Sequence, residues 1–242
     1  MKIIVARDFE ELSALAAKKT AEYINEHPGA LICLAAGKTP LRMFEILVGM
    51  QNRGETDLSS VWYAGLDEWI SLGPNDAGSC HKVMTEAFYG PAGIPDGKIR
   101  LFDGLAGDME RQCAQMEEYI DSRGGIGYTL LGVGMNGHIG FNEPGAPDKK
   151  GCLIVPLDDI TITVSKKYDI NAKTPLTSGV TIGRRTLFDA LAVVLMASGA
   201  EKADIMKAAL HGPITSGVPA SIFQEHRNAT ALLDRESASL LT

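Results

Sequence analysis

The stretch Ala30-Leu31-Ile32-Cys33-Leu34-Ala35-Ala36-Gly37-Lys38-Thr39-Pro40 decides the fold. It opens with a continuous apolar run, Ala30–Ala36, as expected for a parallel strand that is buried on both faces. A short turn follows, and Thr39 and Pro40 are residue types that favour the N-cap and the first position of a helix. A buried strand that passes through a turn into a helix is the repeating unit of α/β proteins.

The same alternation continues in both directions from this stretch. Further strand patterns occur at Lys2–Ala6, Val61–Leu66, Tyr128–Val133, Leu191–Ala197 and Ala229–Leu233. Helical patterns occur from Asp8, with Glu11 completing a capping-box-like start, to about Glu26, from Thr39 to near Gly54, at about Cys80–Phe88, Asp108–Ser122 and Glu201–Leu210, and in a short terminal helix. We therefore expect one domain over residues 1–242. Its predicted fold is α/β, with a single open, mainly parallel sheet and helices on both faces, a Rossmann-like three-layer sandwich.

Residues 141–180 do not follow this alternation. They are rich in turn residues and predict irregular structure, in which a mobile lid could lie.

The composition of the 242-residue chain is that of an ordinary globular protein, with 45% hydrophobic and 22% charged residues. The formal net charge is −7 and no basic run stands out, which argues against a nucleic-acid partner. No apolar stretch is long enough to span a bilayer, and the N-terminus lacks the layout of a signal peptide. These features predict a cytoplasmic protein without a membrane partner. They leave the oligomeric state open, with a homo-oligomer among the options.

The cysteines and histidines do not form a metal-binding pattern. The four cysteines, at positions 33, 80, 113 and 152, are scattered and include no C-x-x-C pair, so we expect reduced thiols that mostly fill the core. The five histidines show no short His-x-x-x-His spacing. The sequence therefore predicts no metal site.

A glycine-rich segment, Gly132-Val133-Gly134-Met135-Asn136-Gly137-His138-Ile139-Gly140-Phe141-Asn142-Glu143-Pro144-Gly145, continues from the strand pattern Tyr128–Val133. Its first six residues match the G-x-G-x-x-G fingerprint of dinucleotide-binding proteins. That fingerprint requires a helix directly after it, which holds the pyrophosphate. The glycines and prolines that follow exclude such a helix, so we expect no nicotinamide or flavin cofactor.

Polar residues follow four strand patterns at the point where each strand ends. They are Gly37, Lys38 and Thr39; Asp67 and Glu68; Asn136, His138 and Glu143; and Ser198, Gly199 and Lys202. Open α/β sheets bind ligands beyond the carboxyl ends of their strands. If the strands are parallel, these residues converge on one site.

Gly37, Lys38 and Thr39 predict a phosphate-binding turn, because backbone N–H groups, a hydroxyl and a helix N-terminus can hold an anion. The turn is not a Walker loop, since the upstream glycine is absent at the required spacing. Plain helix capping by Thr39 is the alternative. Lys166 and Lys202 could each contact a phosphate as point charges, although an isolated lysine is more often a solvated surface charge.

Asp67 is a candidate general base whose pKa burial and neighbours could tune. Successive strand residues point to opposite faces, so only one of Asp67 and Glu68 can face a given site. A turn or helix-capping role is the alternative for Asp67. His138 is close in sequence to Asn136 and Glu143, an arrangement expected of a histidine oriented by polar neighbours. No serine occupies a G-x-S-x-G turn, so a serine hydrolase is poorly supported.

Four segments together resemble the glucosamine/galactosamine-6-phosphate deaminase (isomerase) family over nearly the whole chain. They are Leu34–Pro40, Leu66–Trp69, Gly134–Gly145 and Ser198–Ala203, of which Gly134–Gly145 is the most specific. The resemblance implies a cofactor-free reaction on an amino-hexose 6-phosphate. Glucosamine 6-phosphate or galactosamine 6-phosphate would yield fructose 6-phosphate or tagatose 6-phosphate plus ammonia.

The resemblance also implies roles for the residues. Asp67 would move a proton between C2 and C1 of the open-chain sugar. His138, supported by Glu143 and Asn136, would help to open the pyranose ring. The phosphate would bind Gly37, Lys38, Thr39 and Lys202. The resulting ketose imine would hydrolyse, which suggests the hydrolase class combined with aldose–ketose isomerase chemistry.

Two positions depart from the glucosamine members of the family. Those members carry aspartate where this chain has Asn136, and an arginine near Lys166 that grips the phosphate from a mobile lid. Asparagine can still accept a hydrogen bond from His138 but adds no charge, and lysine lacks the bidentate fork of arginine. Four features are closer to galactosamine-type members: Asn136, Trp69, Cys152–Asp158 and Pro219–Ser221. The C4 configuration of the sugar therefore stays open, with a slight preference for galactosamine.

Three alternatives remain at this stage. A 6-phosphogluconolactonase is similar in fold and in its G-x-G-x-x-G-H turn, but normally continues with a Ser-Leu-Phe-Pro type segment instead of Phe141–Pro144. A sugar-phosphate-sensing domain usually follows a DNA-binding helix-turn-helix, whereas this chain starts directly with a strand pattern. A related enzyme could act on another amino-sugar phosphate. Because the chain stops soon after Leu233, we do not expect allosteric activation by an acetylamino-sugar phosphate.

Overall fold

The structure is a computed structural model that describes residues 1–165 and 176–241. Within these ranges the strands are β1 Lys2–Ala6, β2 Leu31–Leu34, β3 Trp62–Gly65, β4 Asp67–Trp69, β5 Ile99–Arg100, β6 Tyr128–Gly132, β7 Cys152–Pro156, β8 Ser178–Ile182, β9 Ala192–Ala197 and β10 Ala229–Asp234. The α-helices are α1 Phe9–Glu26, α2 Leu41–Asn52, α3 Cys80–Met84, α4 Met109–Ser122, α5 Asp159–Ser165, α6 Arg184–Phe188 and α7 Ala203–His211.

Seven of the described strands form one sheet in the order β1-β10-β9-β6-β2-β3-β5. Every pair of neighbours in it is parallel. The α/β fold with an open, mainly parallel sheet is therefore confirmed. The short edge strand β5 was not anticipated, because two residues are too few to show a strand period.

The two faces of this sheet are buried by different elements. On one face, Ile32 and Leu34 of β2 belong to a core cluster that includes side chains of α1 and α2. On the other face, Leu31 and Cys33 belong to a cluster that includes side chains of α4 and α7. Since all four residues of β2 are buried, the continuous apolar run in the sequence has the expected physical cause.

A second, three-stranded antiparallel sheet was not predicted. Its order is β4-β8-β7, and β7 and the start of β8 lie in the segment expected to be irregular. Cys152 of β7 and Val180 of β8 join the core of the large sheet, whereas Leu153 packs with Trp69 and Phe141 on the other side. The prediction of irregular structure holds for residues 141–151 but was wrong for β7, α5 and the start of β8. For the strands, packing on both faces outweighs the weak strand signal of two segments flanked by turn residues.

Two local predictions at helix ends were also wrong. Helix α2 begins at Leu41 with Pro40 at its N-cap position, so Thr39 does not cap it. The chain after β10 forms turns instead of a terminal helix. In those turns Oδ1 of Asp234 accepts a hydrogen bond from the backbone N–H of Ser237 at 2.8 Å, a local bond that competes with helix formation. The start of α1 is confirmed, because the Asp8 side chain accepts from the backbone N–H of Glu11.

Candidate active site

A cavity opens beside the carboxyl ends of β2, β3 and β6. Gly37, Lys38, Thr39, Asp67, His138 and Lys202 all line it, together with Ala35, Ala36, Pro40, Leu66, Trp69, Gly78, Cys80, Val83, Gly132, Val133, Gly134, Met135, Gly140, Phe141, Ile160 and Thr161. Residues from all four of the sets that follow the strand patterns thus meet at one place, whereas Glu68, Asn136, Glu143, Ser198 and Gly199 do not line the cavity. Parallel pairing of β2, β3, β6 and β9 produces this convergence, because it brings their carboxyl ends to the same edge.

The turn between β2 and α2 forms one wall of the cavity. It contains Gly37, Lys38 and Thr39, which precede α2 directly. The Thr39 side chain does not cap α2. Helix capping therefore does not compete with a ligand for the Thr39 hydroxyl. The positive end of the α2 dipole points toward this turn, which favours an anion there.

Lys202 reaches the cavity from the loop after β9. Its Nζ donates a hydrogen bond to the backbone carbonyl of Val133 at 2.7 Å, which holds the ammonium beside the glycine-rich segment. Asp234 orders the start of the same loop. Its Oδ2 accepts from Ser198 Oγ at 2.5 Å and from the Gly199 backbone N–H at 3.0 Å. Lys166 lies outside the described residues, as does part of the expected lid.

Asp67 and Glu68 occupy opposite sides of β4. Asp67 lines the cavity, whereas Glu68 is buried and accepts backbone N–H groups of Trp69, Cys80 and His81 at 2.8, 3.0 and 2.8 Å. As expected, only one of the two acids, Asp67, faces the cavity. Glu68 instead ties β4 to the start of α3, which places Cys80 next to Asp67.

The surroundings of Asp67 are suited to acid–base chemistry. Burial raises the pKa of Asp67 to about 6, although a hydrogen bond from Cys80 and the electrostatic effect of His138 act in the opposite direction. Burial also raises the pKa of the Cys80 thiol well above its ordinary value, so Cys80 is a neutral hydrogen-bond donor. A carboxyl group with a pKa near 6 can both accept and return a proton near neutral pH.

His138 is held by the glycine-rich segment. Its Nδ1 lies 3.2 Å from Glu143 Oε2, and Asn136 Nδ2 donates to the same oxygen at 2.9 Å. Asn136 Oδ1 accepts from the backbone N–H of His138 at 3.2 Å. Asn136 thus accepts a hydrogen bond from His138, as the sequence allowed, but at the backbone, and it reaches the imidazole ring only through Glu143. Burial raises the pKa of Glu143, but hydrogen bonds from His138, Thr161 and Asn136 leave it below its ordinary value.

Glycines allow the histidine and the aspartate to approach the backbone closely. A Cβ atom at Gly134 would lie 2.3 Å from His138 Nε2. Gly140 has a φ of +55°, and a Cβ there would meet Thr181 Oγ1 at 2.7 Å and Asp67 Oδ2 at 3.2 Å. Gly134, inside the segment that resembled a dinucleotide fingerprint, and Gly140 beyond it therefore make room for side chains of this chain.

Asn142 anchors this segment to the second sheet. Its Nδ2 donates to the carbonyls of Ile139 and Ile182 at 2.8 and 2.9 Å, and its Oδ1 accepts from the backbone N–H of Arg184 at 2.8 Å. With all these bonds made and the side chain buried, Asn142 is a structural member of the motif.

Two residues near the reacting groups were missed in the sequence. Cys80 was expected to fill the core, but it lines the cavity beside Asp67. Thr161 of α5 lines the cavity as well, with Oγ1 3.1 Å from His138 Nδ1. No sequence signal marked Thr161, because it lies in the segment predicted to be irregular. The other three cysteines are buried, as expected of core residues.

Two features are absent from the part of the chain that the structure describes. No helix there is long and apolar enough to cross a membrane. No group of three or more histidine, cysteine, aspartate or glutamate side chains is arranged there to hold a metal ion.

Comparison with known sequences gives one consistent family. Residues 8–232 match the model of the glucosamine-6-phosphate isomerases/6-phosphogluconolactonase family. The glucosamine-6-phosphate deaminase of Thermoanaerobacter sp. (strain X514) is 37% identical over 241 residues, covering 100% of this chain and 95% of the relative. The glucosamine-6-phosphate deaminase of Clostridium perfringens (strain 13 / Type A) is 34% identical, with full coverage of both chains.

Solved structures agree with this assignment. A monomeric glucosamine-6-phosphate deaminase of the NagB superfamily superposes with a TM-score of 0.94 at 33% identity, covering 99% of this chain and 100% of the other. The 6-phosphogluconolactonase from Trypanosoma brucei superposes with a TM-score of 0.78 at 22% identity, covering 100% and 98%. At that identity the second likeness shows the fold alone.

Proposed function

The chain belongs to the family of glucosamine-6-phosphate isomerases and 6-phosphogluconolactonases, and from this premise we propose that it deaminates and isomerises an amino-hexose 6-phosphate. The observation that carries the proposal is the shared cavity. It joins an acid–base pair, Asp67 and His138, to the turn Gly37–Thr39 and to Lys202. A phosphorylated amino sugar needs both a site for proton transfer and a site for the anion.

The phosphate binds at the turn before α2. Backbone N–H groups and the helix dipole attract the anion at Gly37–Thr39, and the ammonium of Lys202 adds a positive charge. Lys166 is a further candidate contact from outside the described residues. Phosphate binding fixes one end of the sugar, so that its C1–C2 end reaches the carboxyl group of Asp67 and the imidazole of His138.

Ring opening is the task of His138. Glu143 is ionised at neutral pH because its pKa lies below the ordinary value, so it can only accept hydrogen bonds. The proton shared with Glu143 therefore sits on His138 Nδ1, which leaves Nε2 to exchange a proton with the sugar. Nε2 takes the proton of the C1 hydroxyl and returns it to the ring oxygen, which yields the open-chain aldehyde.

Asp67 carries out the isomerisation. Its carboxylate removes the proton from C2 while a proton of the substrate's ammonium group passes to the C1 carbonyl oxygen, and an enolamine forms. The same proton returns to C1, which gives a ketose imine. Water adds to this imine and ammonia leaves, so the products are a ketose 6-phosphate and ammonia. Every electron lost at C2 is gained at C1, and the reaction balances without an external redox cofactor.

The relatives named above act, by their names, on glucosamine 6-phosphate, which makes this sugar the first substrate to test. Asn136 and Trp69 resemble galactosamine-type members, so galactosamine 6-phosphate is the second. An ammonia-release assay on glucosamine, galactosamine and mannosamine 6-phosphates, with Asp67→Asn as the negative control, tests the proposal. Hydrolysis of 6-phosphogluconolactone with no ammonia from any of the three sugars would contradict it and favour the lactonase alternative.

Some sequence predictions remain predictions. These include a single domain with a possible lid, a cytoplasmic location and a possible homo-oligomer. The monomeric deaminase with 33% identity makes the monomer the first state to consider. Size-exclusion chromatography with light scattering measures the oligomeric state directly.

A further inference from the structure

Helix α5 places a hydroxyl group against the imidazole of His138. Thr161 is 4% exposed and lines the cavity, and its Oγ1 lies 3.1 Å from His138 Nδ1. The two residues are 23 positions apart in sequence and come from different elements. The contact therefore depends on α5 lying over the glycine-rich segment.

The three side chains at this point have defined donor and acceptor roles. The ionised carboxylate of Glu143 accepts only, so Nδ1 of His138 is the donor, and its N–H lies within reach of both Glu143 Oε2 at 3.2 Å and Thr161 Oγ1 at 3.1 Å. With its oxygen accepting from Nδ1, the Thr161 hydroxyl can direct its own proton toward Glu143, whose pKa it lowers. A valine at this position would keep the shape but lose both interactions.

We propose that Thr161 is a positioning residue for His138. Together with Glu143, Thr161 orients the imidazole for ring opening, so this orientation depends on the position of α5. The proposal rests on the function proposed above. It assigns a task to α5 that neither the sequence motifs nor the names of the relatives indicate.

The position of Asn136 strengthens the case. Asn136 donates to Glu143 Oε2 and touches His138 only at its backbone, so it does not hold the ring directly. Contacts to the ring nitrogen Nδ1 come from Glu143 and from Thr161. Loss of Thr161 would leave Glu143 to hold the ring from one side.

Several charged and titratable side chains among the described residues surround the contact between Thr161 and His138. Glu143 is on the same segment as His138, and Asp67 faces His138 from β4. Cys80 of α3, Lys38 of the turn before α2 and Lys202 line the same cavity. The hydrogen bond from Thr161 contributes to the lowered pKa of Glu143. Its removal should therefore raise that pKa and move the acidic limb of the activity profile to higher pH.

Three variants test the proposal. Thr161→Val removes the hydroxyl and Thr161→Ser restores it. Thr163→Val makes the same chemical change on the exposed side of the same helix. The first readout needs no turnover: the ¹⁵N resonance of His138 Nδ1 in the intact protein, assigned by its loss in His138→Gln. We expect it to shift in Thr161→Val and to stay in place in Thr163→Val and, nearly, in Thr161→Ser.

The second readout is ammonia release. In Thr161→Val we expect kcat to fall about tenfold, as for the loss of one hydrogen bond to a charged partner, with little change in KM and with the acidic limb moved to higher pH. Thr161→Ser should recover most of the loss. An unmoved Nδ1 resonance, or a Thr161→Val enzyme whose kcat and pH profile equal those of Thr163→Val, would overturn the proposal. A wild-type protein that releases no ammonia would instead contradict the proposed function, while the resonance still reports on the contact.

Discussion

Asp67 and Glu68 are adjacent in the chain, yet their carboxyl groups have opposite surroundings. Asp67 lines the cavity, where burial raises its pKa to about 6. Glu68 is 1% exposed and accepts three backbone N–H groups that join β4 to the start of α3. One acid thus faces the cavity, while its neighbour holds the wall of the cavity in place.

Asp67→Asn should abolish turnover and leave substrate binding nearly unchanged. Asparagine has almost the same shape but cannot accept the C2 proton, and the loss of general base catalysis costs at least about 10²–10⁴-fold in rate. Ammonia release measures turnover, and equilibrium binding of the sugar phosphate measures affinity. Asp96→Asn, a change of the same kind at an exposed position, is the matched control. Near-normal turnover in Asp67→Asn would contradict the role of Asp67 as the general base.

Asp67 should titrate near pH 6 in the free protein. Its pKa is raised above the ordinary value, so the carboxylate that acts as base is present above about pH 6 and is lost as the pH falls through that value. Because a sugar phosphate also titrates near pH 6, the direct measurement is preferable to a rate profile. ¹³C NMR of aspartate-labelled protein, with Asp67→Asn for assignment, gives the pKa without substrate. A midpoint near 4 would show that burial does not perturb this group.

Asn136→Asp should move the pH–rate profile to higher pH. The change removes the Nδ2 donor to Glu143 and places a second negative charge beside it, and a negative charge raises the pKa of neighbouring groups. Asn136→Ala removes the same donor without adding charge, so the difference between the two variants isolates the effect of the charge. Profiles that coincide for these two variants would mean that residue 136 has no electrostatic influence on the site.

The 6-phosphate should contribute strongly to kcat/KM. The turn Gly37–Thr39 and the ammonium of Lys202 are left without the anion when the phosphate is missing, so unphosphorylated amino-hexoses should be very poor substrates. Inorganic phosphate should compete with the substrate. Lys202→Ala should weaken both ligands, whereas Lys207→Ala on the exposed side of α7 should not. High salt should also weaken binding, because the lysine contributes a point charge.

The comparison that decides this assignment is kcat/KM for one amino-hexose with and without its 6-phosphate. A ratio near one would contradict a phosphate site at the turn before α2. It would also contradict most of the proposed function.

Local sequence patterns determined the main features of the fold and the members of the site. The apolar runs at β2, β6 and β9 predicted buried parallel strands, and parallel strands bring the residues after them to one edge. That rule predicts that Gly37–Thr39, Asp67 and His138 meet at one edge of the sheet, and they line one cavity. These signals are readable because they depend on neighbours along the chain: strand period, helix caps and turn residues.

Only the tertiary structure decided how these residues are supported. The second sheet, the Cys80 thiol beside Asp67 and the Thr161 hydroxyl beside His138 all depend on packing between segments distant in sequence. Strand β4 has only three residues, and β7 and β8 are flanked by turn residues, so their local strand signal is weak and burial against the large sheet determines their conformation. The sequence alone thus predicted the candidate reacting groups. The partners that set their orientation and pKa could be found only from the fold, because desolvation and hydrogen bonding depend on what lies nearby in space.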